Sequence, residues 1–259
     1  MESFGALLPS VSASQEPLLI ALLMMGAFAG AFITSGFGIG GGVVMTPLFI
    51  MLLPAKIGVG LGAPLMLLIS GTAVRQYWRQ WNRRNLLVLL PSCLAGIWLG
   101  SYLLAAVSGE TVRKTVGVLA LGFGFIQLII IDRPDLRIRF RPPEWQGVFF
   151  GLGSGITTAL AHTGGIVFSF YLFPNSPTKE SFVATTVFLF FSSGLVKIGT
   201  YWYYDILTIP ILIASLALVP SLIAGSIAGK WLNRRLSNKL FMRLIPLIAA
   251  AMGIKLILG

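Results

Sequence analysis

The sequence predicts an all-α, polytopic integral membrane protein: two inverted-topology repeats with glycine-broken, discontinuous or re-entrant helices and about 8 to 10 membrane segments. Three observations carry that reading. Only 10% of the 259 residues are charged and the mean hydropathy is +0.89, whereas soluble domains carry about 25% charged residues. The charge-free stretches are as long as a bilayer is thick. The second half of the chain also repeats the first.

A helix needs about 20 apolar residues to cross the hydrocarbon core, and runs of that order fill the chain. Residues Pro17 to Ala55 are charge-free over 39 positions, Ile57 to Val74 over 18, Asn85 to Gly109 over 25 and Thr115 to Ile131 over 17. Asp132 to Glu144 then holds seven charges and three prolines in 13 residues, a composition no membrane helix tolerates. Beyond it, Trp145 to Thr178 is charge-free over 34 residues, Ser181 to Tyr204 is interrupted only by Lys197, Ile206 to Gly229 is clean, and a last helix runs from about Lys239 to Leu258. The expected organisation is an external tail over 1–17, a first repeat over 18–131, a cytoplasmic basic linker over 132–144 and a second repeat over 145–259. The N-terminus has no basic n-region and no evident cleavage site, so Leu18 onward is expected to be a retained segment.

The 39- and 34-residue runs are too long for one crossing, and each has glycines in its middle: Gly36-Phe-Gly-Ile-Gly-Gly-Gly42 and Gly164-Gly165. Glycine weakens helices, and unwound backbone at membrane depth is tolerated only where protein or a water-filled cavity surrounds it. Both breaks are therefore expected to face a cavity, with new helices beginning near Val43 and Ile166.

A shift of 123 residues aligns Gly30 with Gly153, Gly41-Gly42 with Gly164-Gly165, Pro54 and Lys56 with Pro177 and Lys179, and Ser70-Gly71 with Ser193-Gly194. At a shift of 129, Pro91-Ser92, Ala95-Gly96 and Gly100 fall on Pro220-Ser221, Ala224-Gly225 and Gly229. Ordered matches with one six-residue insertion indicate duplication. Lys and Arg accumulate in cytoplasmic loops. Four Arg lie from Arg75 to Arg84, four from Arg133 to Arg141, and four Lys or Arg from Lys230 to Lys239. Those loops are expected inside, and the tail, the loop around Glu110 and the Trp202 to Ile206 turn outside. The N- and C-termini are then both external, and the two repeats enter the membrane from opposite sides. Such repeats with discontinuous helices are a signature of secondary transporters, whose substrate sits near the midplane.

An anion at that depth needs hydrogen-bond donors and positive potential, which helix N-termini supply. The candidate binding residues are Gly38, Gly40, Gly41 and Gly42 with Thr34 and Ser35 in the first half, and Thr157, Thr158, His162, Thr163, Gly164 and Gly165 in the second. Glycine lets an oxyanion approach the backbone. For Gly26/Gly30, Gly96/Gly100 and Gly225/Gly229, small-residue helix packing is the expected role. His162 is a donor to the anion, a pH-sensitive group or a structurally satisfied side chain. Arg75 and Lys197 either line the anion path or snorkel to the interface, the cheaper alternative. Snorkelling is the expectation for Arg243 and Lys255, and packing for Cys93.

Gly36-Phe-Gly-Ile-Gly-Gly-Gly42 followed by Pro47-Leu48, with the echo His162-Thr-Gly-Gly165, resembles the TauE/SafE sulfite exporter family over the whole chain. The second copy departs from the pattern, with Ala161 and His162 where a fuller glycine run is expected. The resemblance implies a transporter in the cytoplasmic membrane of a prokaryote that moves a sulfur-containing anion such as sulfite, sulfoacetate or thiosulfate.

Other functions fare worse. All eight acidic residues fall in loops or tails, leaving no intramembrane carboxylate for a proton relay. The single Cys and single His exclude a disulfide framework and a clustered zinc site, and no cofactor is implied. The net +11 sits mainly in cytoplasmic loops, so it marks topology and anion attraction, with no nucleic acid as partner. Gly36-x-Gly38-x-x-Gly41 matches a dinucleotide fingerprint but lacks the acidic residue about 20 positions on. Ser154 and His162, eight residues apart on one helix, would be separated by about 12 Å, too far for a serine hydrolase. The partners expected are a small anion and the lipid bilayer, a homo-oligomer is compatible with such a chain, and an anion channel or a non-transporting membrane assembly subunit is the alternative.

Overall fold

Apolar runs bounded by capping residues become helices here. The computed structural model describes residues 16–37, 40–132, 142–233 and 238–259, and among them the chain forms α-helices and one 3-10 turn but no strand. The first half comprises α1 (Glu16–Phe37), α2 (Gly41–Leu52), α3 (Ala55–Gln76), α4 (Arg83–Ala106) and α5 (Gly109–Asp132). The 3-10 turn Glu144–Gln146 opens the second half, followed by α6 (Gly147–Ala161), α7 (Gly164–Asn175), α8 (Lys179–Tyr203), α9 (Ile209–Ala217), α10 (Val219–Asn233) and α11 (Asn238–Leu258). Gly38 and the charged run over 133–141 lie outside the described residues.

Local chemistry sets the boundaries. The Asn82 side chain accepts from the amides of Arg84 and Asn85, and Thr178 accepts from that of Ser181, the N-capping expected of these residue types. Pro220 opens α10 and supplies no N–H to the preceding turn; there α9 and α10 meet at 45°. Its counterpart Pro91 sits inside the continuous α4.

Among the described residues five helices, α1, α3, α4, α5 and α8, are long and apolar enough to cross a bilayer, and the bent pair α9–α10 raises the count to six. The protein is therefore a polytopic membrane protein. With 12 residues each, α2 and α7 are only about 18 Å long and cannot span. Both fold back instead. Gly26 packs on Leu48 and Phe49 and Gly30 on Met45, which makes α2 antiparallel to α1; Gly147 packs on Tyr171 and Gly153 on Val167, which does the same for α7 and α6.

Between the halves, α4 runs parallel to α6 with Gly96 and Gly100 against Leu152, Ile156 and Ala159. The same segment of the second half, on α10, runs parallel to α1 with Gly225 and Gly229 against the backbone of Phe28 and Phe32. Any side chain at these four glycines would strike neighbouring backbone or a packed side chain, so close packing is their role. Helices α3 and α8 cross antiparallel, Gly71 meeting Phe191 and Gly194 meeting Leu67. Helices α5 and α11 also cross antiparallel, Gly117 against Gly253 and Gly124 against Pro246.

The bundle has two distinct ends. At one, Lys56 Nζ donates to the Ala105 carbonyl (2.7 Å), Gly60 abuts Ile206, and Trp98 and Tyr102 pack on Tyr204. At the other, Asn85 Nδ2 donates to the Asn175 carbonyl (3.2 Å), Asn175 Nδ2 to that of Pro142 (3.1 Å), and Arg84 pairs with Glu144. The cluster Arg75, Arg79, Arg83 and Arg84 belongs to this second end.

Candidate functional site

The two helix breaks meet inside the bundle. On the first-half side, Gly40 caps α2 with φ +105°, a left-handed conformation open to glycine and strained for other residues. On the second-half side, α6 ends at His162, which is also left-handed at φ 57°. A non-glycine residue there costs about 1–2 kcal/mol, and such strain persists where the surroundings over-determine it, often at functional sites. The His162 N–H donates to the Thr158 carbonyl (3.1 Å) and the Thr163 N–H to that of Thr157 (3.3 Å), closing the helix. The new helices begin at Gly41 and Gly164, two residues before the expected Val43 and Ile166, so the glycine pairs form their first turns. The leading amides of a helix have no intrahelical acceptor.

His162 is a point of contact between the halves. Its carbonyl and Cβ lie directly against Gly42 of α2, where a Cβ would stand 2.5 and 2.7 Å from them. Its Nδ1 is hydrogen-bonded to Thr46 Oγ1 of α2 at 3.2 Å. On the far side the ring faces Gly62 of α3, whose added Cβ would lie 3.3 Å from Cε1 and 3.5 Å from Nε2. That Nε2 is fully buried with no hydrogen-bond partner, and one turn before it Thr158 Oγ1 is in the same state. Thr158 Oγ1 also abuts Gly164 at the start of α7, where Ser154 Oγ donates to the Gly164 carbonyl (2.7 Å). Unsatisfied buried polar atoms are uncommon in native proteins, and each calls for an explanation.

The other candidate hydroxyls are engaged. Thr34 Oγ1 donates to the Gly30 carbonyl (2.9 Å) and Thr157 Oγ1 to that of Gly153 (2.8 Å), the same back-bond at equivalent positions of the two halves. Ser35 and Ser226 share a hydroxyl contact of 2.7 Å, and Thr163 Oγ1 donates to the Thr157 carbonyl (3.3 Å). Gly41, Gly42, His162, Thr163, Gly164 and Gly165 are all buried, so the arrangement is closed around them. Ser154 contacts the Gly164 carbonyl and forms no nucleophile-and-base pair with His162.

The cations separate sharply. Arg75 is exposed in the last turn of α3, and Lys255 is exposed near the end of α11, both compatible with snorkelling; the Arg243 side chain lies outside the described residues. Lys197 contradicts that expectation: it is 2% exposed, in the interior of the bundle rather than at an interface. Cys93 is buried on α4 with its carbonyl against Gly155 of α6, a packing position.

The sequence reading missed Thr46 and Gly62. Thr46 was legible only as the neighbour of Pro47, and Gly62 only as one of three alternating glycines in α3; neither pattern names its contact with a histidine 100 or more residues away. Among the described residues no group of three or more potential metal ligands occurs.

Compared with known proteins, the chain matches a family model described as sulfite exporter TauE/SafE over residues 22–256. No curated protein and no solved structure matches it.

Proposed function

The chain belongs to the sulfite exporter TauE/SafE family, and from that premise we propose a secondary transporter that exports a small sulfur-containing anion of the sulfite, sulfoacetate or thiosulfate type across the cytoplasmic membrane. Alternating access takes place around a site at the midplane. One observation carries this reading: the two helix breaks converge at His162, beside the starts of α2 and α7, with two buried polar atoms left without partners. Helix starts favour anions, and Thr158 Oγ1 with His162 Nε2 would complete the donor set. In this reading Thr46 donates to Nδ1, which places the ring proton on Nε2, facing the ligand.

Two inverted repeats, over 18–131 and 145–259 on either side of the 132–144 linker, would supply the two access states. Support comes from the packing: equivalent helices of the halves cross antiparallel, α3 with α8 and α5 with α11, while α4 pairs with α6 as α10 pairs with α1. Exchanging the conformations of the two halves would turn a site open to one side into one open to the other.

The direction is energetically natural. A monoanion leaving a cell at about 100 mV, inside negative, gains about 2.3 kcal/mol and a dianion twice that, so export requires no intramembrane carboxylate. The test is flux of labelled sulfite, thiosulfate and an organic carboxylate from proteoliposomes under an imposed potential. Saturation, counterflow and acceleration by an interior-negative potential are expected. Flux indifferent to potential would sink the electrogenic mechanism, and unitary currents would replace the carrier by a channel. Replacing Gly164 and Gly165 with leucines should abolish flux while leaving membrane insertion intact; normal flux would return those glycines to a packing role.

A further inference from the structure

Helix α8 carries a buried polar stripe through the bundle. Thr186, Ser193, Lys197 and Tyr201 recur at spacings of seven, four and four, one face of a helix, and all are buried. The hydroxyls have partners: Thr186 Oγ1 donates to the Phe182 carbonyl (2.8 Å), Ser193 Oγ to that of Phe190 (3.0 Å), and the Tyr201 hydroxyl to the Ala159 carbonyl on α6. Lys197 does not. Its Nζ makes no hydrogen bond or ion pair among the described residues, whose two ion pairs, Arg84 with Glu144 and Lys114 with Glu110, lie at helix ends. The Tyr201 bond ties this face of α8 to α6 one residue from Thr158, and one turn beyond Lys197 the Thr200 hydroxyl meets that of Ser101 on α4 at 2.9 Å.

A lysine inside a membrane protein with no carboxylate to meet it lacks the partner that a buried ammonium requires. The charge also exists in one half only. At the shift of 123, the position of Lys197 is taken by Val74, which is buried, and the neighbouring Arg75 points outward. The two halves thus differ by one interior positive charge.

We propose that Lys197 is the counter-charge of the transported anion, an intramembrane cation between α4, α6 and α8 whose missing partner is the substrate. This inference rests on reading the protein as an anion transporter and adds the residue that would discriminate by charge. It predicts that neutral solutes are rejected even when they fit. Because the cation belongs to the second half alone, the affinities from the two membrane faces should differ despite the symmetry of the breaks.

The test uses the full-length protein in detergent and in proteoliposomes, with Lys197→Gln, Lys197→Met and Lys197→Arg. Melting is followed with sulfite, thiosulfate, sulfate, chloride and a neutral sugar. Wild type should be protected by at least one anion and not by the sugar, and K197Q and K197M should lose that protection. In flux, K197Q should raise KM for the anion by about 100-fold, the scale for truncating one partner of a buried charge pair, and K197R should recover part of it. Without anion, K197M should melt no lower than wild type, since an unpaired interior charge has been removed; this keeps the assay interpretable if K197Q folds poorly. Protection retained by K197Q or K197M, or absent from wild type with every anion, overturns the proposal. Protection by chloride or sulfate alone, lost in K197Q, upholds Lys197 while removing the sulfur-anion reading.

Discussion

His162 joins backbone strain, an inter-half hydrogen bond and an unpartnered nitrogen in one side chain. Its left-handed backbone admits Asn more readily than most residues and rejects β-branched ones. His162→Asn should therefore fold while losing the donor at Nε2, and flux should fall about 10- to 100-fold, the range for one hydrogen bond to a charged ligand. His162→Val should fail earlier, with a lowered melting temperature in detergent. Equal flux in wild type and H162N would show that the imidazole is only a helix terminator. Thr46→Val, which removes the hydroxyl partner of Nδ1, should weaken transport less than loss of the ring.

The helices use glycine in more than one way, and substitution separates the uses. A side chain at Gly42 would meet the His162 carbonyl and Cβ at the junction of the breaks, whereas nothing lies within 4 Å of a Cβ on Gly122. Gly42→Val should abolish flux, and Gly122→Ala should leave flux unchanged with equal or higher stability, as expected of Ala in a helix. At the packing seams, Gly96→Val and Gly225→Val should each destabilise the bundle by about 1–3 kcal/mol through overpacking, read as a fall in melting temperature. Similar costs at both positions would match their equivalent seams; a selective loss of transport at unchanged stability would contradict the packing role.

Orientation is a property of the whole chain. By the positive-inside rule the basic clusters predict the turn around Trp78 inside and the turn around Ser108 outside. The chain has a single cysteine, Cys93, and it is buried, so labelling sites can be added to an almost silent background. In sealed, right-side-out vesicles, Ser108→Cys should react with an impermeant thiol reagent and Trp78→Cys only after permeabilisation. The reverse pattern would invert the topology and with it the direction assigned to export.

Much of this was legible along the chain because it depends on neighbours in sequence. Apolar run lengths, caps such as Asn82 and Thr178, the glycine breaks and the duplicated Pro-Ser-x-x-Ala-Gly segment are local signals, and the helices form where those signals lie. That α2 and α7 turn back was only half legible, since 12-residue lengths became visible once Gly41 and Gly164 proved to start them. What only the tertiary structure decided are relations between distant residues. The Thr46–His162 bond joins positions 116 apart, and four of the five candidate hydroxyls turned out to be engaged elsewhere. Lys197, whose place near the end of an apolar run favoured snorkelling, is inside. A sequence records how apolar a segment is, but the direction a side chain faces depends on the helices packed around it, and for Lys197 those belong largely to other parts of the chain.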